Sequence, residues 1–429
     1  MMRSTFASFT LLGLGLLSLA LNGCGGSSGT ITPTPTPTPS PLGSNNSARG
    51  MVLLLQPGVD PAFLAREYGL TLDDSDPSNN LYRFRQRDDD REDRGSLADR
   101  LKKDARFTDA EPDEGVRCPE GNSVMGDPIH VPFDFVDTSD SRYTPLASSF
   151  TSTTVNPAAS SQLGLTSSRS VKRATEVIVA VLDTGVQASH PTLSSHLISG
   201  YNAITPTSLP DDIADGTQNT ALGHGTMVAG VIAQIAPDAK ILPIRVLNAD
   251  GTGSVFSVVR GLRWAVSHGA RIVNLSFGTT TASRTLQGAI QEARKAGVVI
   301  VASVGNAGKE LKDYPAGFSD AIAVAAVDSA DKKASFSNFG SHITLAAPGT
   351  NITSTYVGGG FATWAGTSFA APFVSGAAAL VRAASPNLDS DKVADALCKS
   401  ARSVDTLNPS YSGKLGKGVL SISGGLNVK

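Results

Sequence analysis

The stretch EVIVAVL, residues 176–182, is a short and continuous apolar run that ends in Asp183. A run of this length without polar alternation is typical of a strand buried on both faces. Four similar runs follow it, and helix-like stretches such as VVRGLRWAVSHG (258–269) and LQGAIQEARKAG (286–297) lie between several of them. These runs are KILPIRVL (240–247), RIVNLSF (271–277), VVIVASV (298–304) and AIAVAAV (321–327). The pattern predicts an α/β domain over about 160–429, with helices covering a mostly parallel sheet.

The composition is that of a globular protein with at least one large core. The chain has 429 residues, of which 40% are hydrophobic and 17% charged, and its formal net charge is −2. Proteins that bind nucleic acid usually carry a strongly basic surface. The charge balance therefore argues against a DNA- or RNA-binding function.

The first residues follow the pattern of an export signal. Arg3 supplies a positive start, residues 9–21 are nearly all apolar, and Leu-Asn-Gly-Cys24 closes the segment. The run is too short to span a bilayer comfortably. A small residue directly before Cys24 resembles the lipobox of bacterial lipoproteins, which implies lipidation of Cys24 and a cell-envelope location. Secretion without a lipid anchor remains the alternative.

Composition divides the rest of the chain. Residues 25–49 contain repeated Thr-Pro units, which favour an extended linker. Residues 50–117 combine two strand candidates, MVLLL and LYRFR, with two helical stretches near 60 and 96–101, and so predict a small α+β domain. Residues 118–159 are rich in Ser, Thr, Pro and Asp and are expected to form an exposed linker where the chain is cleaved during maturation.

Three residues carry the candidate chemistry. Asp183 follows the first buried run, His224 lies between two glycines in GHGT, and Ser368 stands early in GTSFAAPFVSGAAAL, residues 366–380. A serine at a helix start is well placed as a nucleophile, because nearby backbone N–H groups and the helix dipole stabilise negative charge. Pro372 is expected in the first turn, where its missing N–H costs little. Taken singly, Asp183 also fits a turn and Ser368 a helix cap.

Together these motifs resemble the signature blocks of the subtilisin-like serine proteases (peptidase S8 family). The blocks are VAVLDTGV, GHGTMVAGVIA and GTSFAAPFVSG, in the chain order Asp, His, Ser, and VASVGNAG is similar to the block with the family's oxyanion asparagine. The resemblance implies a three-layer subtilisin-like fold and a serine endopeptidase that forms an acyl-enzyme. Ser368 is then the nucleophile, His224 the base, Asp183 its orienting acid and Asn306 an oxyanion donor.

The same resemblance implies a substrate site and a zymogen. Gly253, Ser254, Ser276 and Gly278 lie in segments similar to those that flank an extended peptide substrate in the family. By position and size, residues 50–117 resemble the family's inhibitory propeptide, which would make this segment an intramolecular partner of a monomeric enzyme. An unrelated carbohydrate- or protein-binding module is the alternative for residues 50–117.

The chain also departs from the family pattern. Met227 stands where a second histidine is common, and Phe369 and Phe373 replace the common Met and His. Only residues 234–239 connect MVAGVIA to the next strand, too few for the family's common calcium loop. No cofactor is expected for the chemistry and no metal site is predicted, although other structural calcium positions stay open. Asp211, Asp212 and Asp215 are expected in a solvated loop.

Two further questions stay open at the level of sequence. Cys118 and Cys398 suit either one disulfide or two buried thiols. Two rival functions are a catalytically silent relative that serves as a binding module and an esterase of the α/β-hydrolase type. The esterase predicts a G-x-S-x-G elbow, whereas residues 366–370 read GTSFA.

Overall fold

The structure is a computed structural model that describes residues 50–119, 134–135, 156–165 and 177–426. The predictions for the export signal, for Cys24, for the Thr-Pro linker and for most of the 118–159 linker fall outside these residues. The described part consists of a small N-terminal unit and a larger α/β body.

The N-terminal unit is a four-stranded antiparallel sheet with two helices against one face. Its elements are β1 (Gly50–Leu55), α1 (Pro61–Glu67), β2 (Leu70–Asp76), β3 (Leu81–Gln86), α2 (Arg94–Leu101) and β4 (Phe107–Pro112), and the strand order is β2-β3-β1-β4. Met51 and Leu53 of β1 pack on the unit's own helices, whereas Val52 faces the core of the larger body. This period of two arises because successive strand side chains point to opposite faces. The strands β2 and β4 were not predicted from the sequence.

Three short elements connect the unit to the body. They are β5 (Gly115–Arg117), β6 (Asp134–Phe135) and the helix α3 (Pro157–Gln162). Helix α3 crosses the boundary predicted at residue 160. Asn156, which precedes it, is buried and donates hydrogen bonds to the side chain of Gln234 (2.7 Å) and to the carbonyl of Thr353 (2.8 Å). The body therefore includes residues from position 156 onward.

The centre of the body is a seven-stranded sheet in which all neighbouring strands run parallel. Its strands are β7 (Ile178–Asp183), β8 (Tyr201–Asn202), β9 (Lys240–Arg245), β11 (Ile272–Leu275), β12 (Val299–Ser303), β13 (Ile322–Val327) and β14 (Leu345–Pro348), in the order β14-β13-β12-β11-β7-β9-β8. All five predicted runs lie in it, which confirms the predicted α/β class. The edge strands β8 and β14 were missed because they are too short to form a clear apolar run.

Helices cover both faces of this sheet. On one face lie α4 (His224–Ile235) and α7 (Thr367–Ala384); on the other lie α5 (Val255–Ser267) and α6 (Arg284–Lys295). Val179 and Val181 of β7 belong to the first core, and Ala180 and Leu182 to the second. The result is the predicted three-layer arrangement.

Helix α7 runs through the centre of the first core. Its mean hydropathy of 1.2 over 18 residues would suit a membrane span, but 89% of that window is buried inside the protein. Gly376 allows α7 to approach α4 closely, because a Cβ added there would lie 2.6 Å from the Cβ of Ile235. Small residues thus let the two helices that carry His224 and Ser368 pack in direct contact.

The remaining elements complete the rim of the body. They are β10 (Thr252–Ser254), β15 (Ile352–Tyr356), β16 (Gly360–Trp364), α8 (Ser390–Ser400) and α9 (Ile422–Gly425). The strands β15, β16 and β6 form a small antiparallel sheet.

Candidate active site

Asp183 and His224 meet at the carboxyl end of β7. Nδ1 of His224 lies 2.7 Å from Oδ1 of Asp183, and both residues are fully buried. The backbone N–H of Thr184 donates to the same carboxylate oxygen at 2.8 Å and so fixes its position. Because Nδ1 faces the acid, Nε2 lies on the opposite edge of the imidazole ring.

Helix α4 begins at His224 for reasons that the local sequence explains. Gly223, which precedes it, has a φ of 89°, a left-handed conformation that favours glycine. A Cβ added at Gly223 would also lie 2.2 Å from the ring of Tyr356. The glycine before His224 is therefore required both by backbone conformation and by packing.

Ser368 lies in the first turn of α7, and the residue after it packs against the histidine. The ring of Phe369, the next residue, has its centroid 5.3 Å from that of the His224 imidazole. Oγ of Ser368 donates to the backbone carbonyl of Ser276 at 3.1 Å. The structure thus brings the start of α7 onto the same ring that Asp183 orients.

The expectation that Pro372 lies in the first turn of this helix is wrong. Helix α7 begins at Thr367, so Pro372 is its sixth residue. At that position a residue with an N–H would donate to the carbonyl of Ser368 four residues earlier. The hydroxyl of Ser276 donates to that carbonyl instead, at 2.9 Å. Ser276 therefore satisfies the acceptor that the proline leaves open beside the candidate nucleophile.

Asn306 lies beside the residue that precedes Ser368. Its Oδ1 accepts hydrogen bonds from the backbone N–H of Thr367 (2.9 Å) and from the Thr367 hydroxyl (2.8 Å). The backbone N–H of Gly305 donates to the same hydroxyl at 3.1 Å. These bonds fix the amide orientation, so that Nδ2 is the edge of Asn306 turned away from Thr367.

The two segments predicted to bind substrate flank β5 of the N-terminal unit. Strand β5 pairs antiparallel with β10, with Val116 opposite Gly253. On its other side, Arg117 and Gly278 exchange two backbone hydrogen bonds, of 3.0 and 2.8 Å. The chain thus carries an extended segment of its own in the place where the sequence predicts an extended substrate.

The four predicted substrate residues divide into two pairs. Gly253 and Gly278 pair through their backbones with β5, as expected of peptide-binding edges. Ser254 lies opposite Gly115 in the same register, and its hydroxyl caps the N-terminus of α5. Ser276 is fully buried, and its hydroxyl supports α7.

Asp212, which was predicted to lie in a solvated loop, is buried. Asp212 is 3% exposed, and its side chain accepts from the backbone N–H groups of Gly223 (3.0 Å) and Thr226 (3.1 Å) and from the Thr226 hydroxyl (2.8 Å). It caps the helix that begins at His224, where Gly223 has no side chain to do so. Burial raises the pKa of Asp212 to about 6. The sequence shows only an aspartate among other polar residues, so no local signal distinguishes it.

A second group missed from the sequence connects β11 to α7. Asn274 donates to the Ser276 hydroxyl at 2.8 Å and accepts from the Ser375 hydroxyl at 2.8 Å, and all three residues are fully buried. A polar residue inside the apolar run RIVNLSF was a usable signal, because a buried amide must find partners.

Two acidic residues of the N-terminal unit occupy the N-termini of the helices on the second face. Glu111 accepts from the Ser283 hydroxyl and from the backbone N–H groups of Arg284 (3.0 Å) and Thr285 (3.2 Å) at the start of α6. Asp113 accepts from the backbone N–H of Phe256 at 3.1 Å at the start of α5. Carboxylates are favoured at such positions by the free N–H groups and by the helix dipole.

Asp113 carries an additional contact within its own unit. It is fully buried, with Arg83 Nε 2.8 Å from its Oδ2. Burial raises the pKa of Asp113 above its ordinary value, and the charge of Arg83 opposes that rise.

Within the described ranges, several residues are of the types that can bind a metal ion or form a disulfide. No three His, Cys, Asp or Glu side chains come together there in a way that could hold a metal ion. Helix α4 ends at Ile235 and β9 begins at Lys240, so their connection is short. Cys118 is buried and Cys398 is half-buried, and no disulfide joins these two residues.

Comparisons with known proteins agree with this geometry. Residues 174–418 match the profile of the subtilase family, peptidase S8. The chain is 40% identical over 246 residues to subtilisin Savinase of Lederbergia lenta, across 55% of this chain and 87% of that protein. It is 38% identical over 232 residues to the thermostable alkaline protease of Halalkalibacterium halodurans, across 52% of this chain and only 61% of that protein.

One solved structure resembles most of the chain. Fervidolysin of Fervidobacterium pennivorans, a keratinolytic enzyme related to subtilisin, aligns with a TM-score of 0.69 at 23% identity, over 89% of this chain and 61% of its own. At 23% identity, this similarity shows that the two proteins share a fold.

Proposed function

Because the chain belongs to the subtilase family, we propose that it is a serine endopeptidase in which Asp183, His224 and Ser368 act together. The observation that carries the proposal is the buried 2.7 Å hydrogen bond from His224 to Asp183, with the first turn of α7 against the same imidazole. A base oriented by a buried acid next to a helix-start serine is the arrangement that nucleophilic acyl transfer requires.

In this mechanism the hydroxyl of Ser368 attacks the carbonyl carbon of the scissile peptide bond. His224 accepts the serine proton through Nε2 and then donates it to the leaving amine. Asp183 holds the imidazole in one tautomer and stabilises its charged form. Water, activated by the same histidine, then hydrolyses the acyl-enzyme.

The negative charge that develops on the carbonyl oxygen needs fixed donors. Asn306 is suited to this role, because the bonds that its Oδ1 accepts from Thr367 orient the amide beside the nucleophile. The backbone N–H of Ser368, at the start of α7, is the second donor. Removing one such donor typically lowers turnover by roughly 10²- to 10³-fold.

The pairing of β5 supports a substrate site that reads backbone rather than sequence. An extended peptide in the place of β5 would pair with Gly253 on one side and Gly278 on the other. Hydrogen bonds of this kind are available to almost any peptide. Polypeptides are therefore the substrate class that we propose.

The same pairing supports synthesis as a zymogen. Strand β5 is the last part of residues 50–117, and Glu111 and Asp113 anchor this segment to the body. While β5 lies between the two edges, a substrate has no backbone to pair with. We place the activating cleavage in residues 118–159, after which the N-terminal unit can leave.

Our proposal that the protein is exported rests on the apolar segment at residues 9–21 and not on the folded body. Lipidation of Cys24 remains a prediction from the sequence, which leaves any dependence on calcium open. Mass spectrometry of the mature N-terminus tests the lipid and the cleavage site together.

Labelling with a fluorophosphonate reagent tests the central proposal. We expect an adduct on the peptide that contains Ser368, which is lost in His224→Ala because the serine is no longer activated. Ser267→Ala is the matched control, since it removes an exposed serine at the end of α5 and should leave labelling unchanged. No adduct on a folded protein with residues 50–117 removed would favour the catalytically silent relative.

N-terminal sequencing tests the zymogen. We expect the active form to begin between residues 118 and 162. A fully active form that still carries residues 50–117 covalently would contradict this part of the proposal.

A further inference from the structure

Asp313 is a half-buried residue whose carboxylate has one buried oxygen without a hydrogen-bond partner. Its Oδ2 accepts from Nδ2 of Asn338 at 3.2 Å, whereas Oδ1 is buried and has no hydrogen-bond partner. Burial raises the pKa of Asp313 to about 6. Buried polar atoms in folded proteins are almost always paired, so an unpaired carboxylate oxygen requires an explanation.

This carboxylate lies directly behind the peptide-pairing edge of the cleft. Thr279 and Tyr314 exchange two backbone hydrogen bonds of 2.8 Å, which place Asp313 beside Gly278. A Cβ added at Gly278 would lie 3.3 Å from the Cβ of Asp313. The other side of Gly278 pairs with Arg117 of β5.

The same carboxylate also borders the loop that carries Asn306. A Cβ added at Gly305 would lie 2.2 Å from Oδ2 of Asp313, so any side chain there would displace the carboxylate. The φ of Gly305 is 93°, which also favours glycine. Asp313 is thus held between the segment that pairs with peptide backbone and the segment that faces the reacting carbonyl.

A peptide paired at Gly278 with its carbonyl at Ser368 passes between these two segments. The side chain of the residue that contributes the attacked carbonyl would then lie next to both segments, and Asp313 lies against Gly278 and Gly305 of these segments. A cation there would supply the missing partner of Oδ1 and form a charge-assisted hydrogen bond. A neutral apolar side chain would leave Oδ1 of Asp313 without a hydrogen-bond partner.

The chain's own strand does not supply this cation. Arg117 lies opposite Gly278, but its side chain is exposed and forms no ion pair with Asp313. The missing partner of Oδ1 is therefore consistent with a binding position that is filled only when a suitable substrate is bound.

We propose that Asp313 selects substrates with lysine or arginine immediately before the bond that is cleaved. This inference rests on the proposed peptidase function and names the substrate preference of that same site. Asp313 acts here as a specificity residue and takes no part in the proton transfers.

The test compares peptide p-nitroanilides that differ only in the last residue: Lys, Arg, Leu, Phe or Glu. The active form obtained from the full chain is assayed as wild type, Asp313→Asn and Asp313→Ser. Glu310→Gln is the matched control, because it removes a carboxylate from the same segment, where Glu310 is largely exposed and pairs with Lys414 at 2.7 Å.

For the wild type we expect kcat/KM for Lys to exceed that for Leu by roughly tenfold or more. In both Asp313 variants this ratio should fall by at least about tenfold. Glu310→Gln should leave the ratio unchanged.

A wild type that cleaves the Leu or Phe substrate better than the Lys substrate overturns the inference without any variant. Equal Lys-to-Leu ratios in wild type and folded variants also overturn it, while the peptidase function stands. Absence of hydrolysis of every substrate, together with absence of fluorophosphonate labelling, refutes the peptidase function itself.

Discussion

The candidate active site, here called the centre, and the face that receives the N-terminal unit are held together in different ways. At the centre, Asp183, His224 and Asp212 are buried and make side-chain hydrogen bonds to residues of the body itself. At the receiving face, the polar contacts include the backbone pairing of β5, two carboxylates on helix N-termini and the ion pair of Arg260 with Asp74, and Val52 adds apolar packing.

This difference indicates which contacts are permanent. Removing one partner at the centre leaves a buried polar group unsatisfied, which is costly. Removing the N-terminal unit exposes backbone edges and helix N-termini, which water or another peptide satisfies equally well. The receiving face is thus suited to an exchangeable occupant and the centre is not. Three predictions test this contrast, beginning with the largest expected effect.

Asn306→Ala is expected to lower kcat by roughly 10²- to 10³-fold with little change in KM, because the donor acts on charge that develops only in the transition state. Asn306→Asp keeps the oxygen that accepts from Thr367 but removes the donor. We expect it to be equally impaired. Steady-state kinetics on a peptide p-nitroanilide measure both variants; recovery of activity in the aspartate variant would mean that Asn306 only supports Thr367.

Asp212 is expected to make stability depend on pH, because burial raises its pKa in the folded state to about 6. A raised folded pKa adds stability that is complete below the unfolded pKa of about 3.9 and is lost as pH rises through 6. Relative to Asp212→Asn, the unfolding free energy of the wild type should fall by about 2 kcal/mol between pH 4 and pH 7.

Denaturant unfolding on a Ser368→Ala background measures this difference without self-digestion. Asp211→Asn is the control, since it removes a charge from the same loop without a contact to α4. A difference between wild type and Asp212→Asn that is constant over this pH range would refute the prediction.

Glu111→Gln is expected to loosen the receiving face without affecting the centre. The backbone N–H groups of Arg284 and Thr285 donate to the Glu111 carboxylate, so their hydrogen exchange should become roughly tenfold faster or more. The measurement uses full-chain protein carrying Ser368→Ala. In Glu114→Gln, which lacks this contact, exchange should be unchanged; protection that is equal in Glu111→Gln would show that the carboxylate contributes little.

The sequence predicted the elements that have strong local patterns. The five buried strands and the helices over 258–269 and 286–297 were found because continuous apolar runs and helical periodicity depend on nearby residues alone. Pro372 was misplaced by one turn, since the first residue of α7 is set by contacts from Asn306 and Ser276 rather than by its own sequence. Asp212 was assigned to solvent because its partners, Gly223 and Thr226, are more than ten residues away.

The sequence by itself determined the α/β class, the chain order of Asp183, His224 and Ser368, and the family to which those motifs belong. Only the tertiary structure decided that β5 lies between Gly253 and Gly278, that Asp212 caps the histidine helix and that Asp313 lies beside Gly278 with an unpaired oxygen. The physical reason is the distance along the chain over which each kind of interaction acts. Propensity and periodicity act over a few residues, whereas burial, charge pairing and backbone docking depend on segments that meet only after the chain has folded.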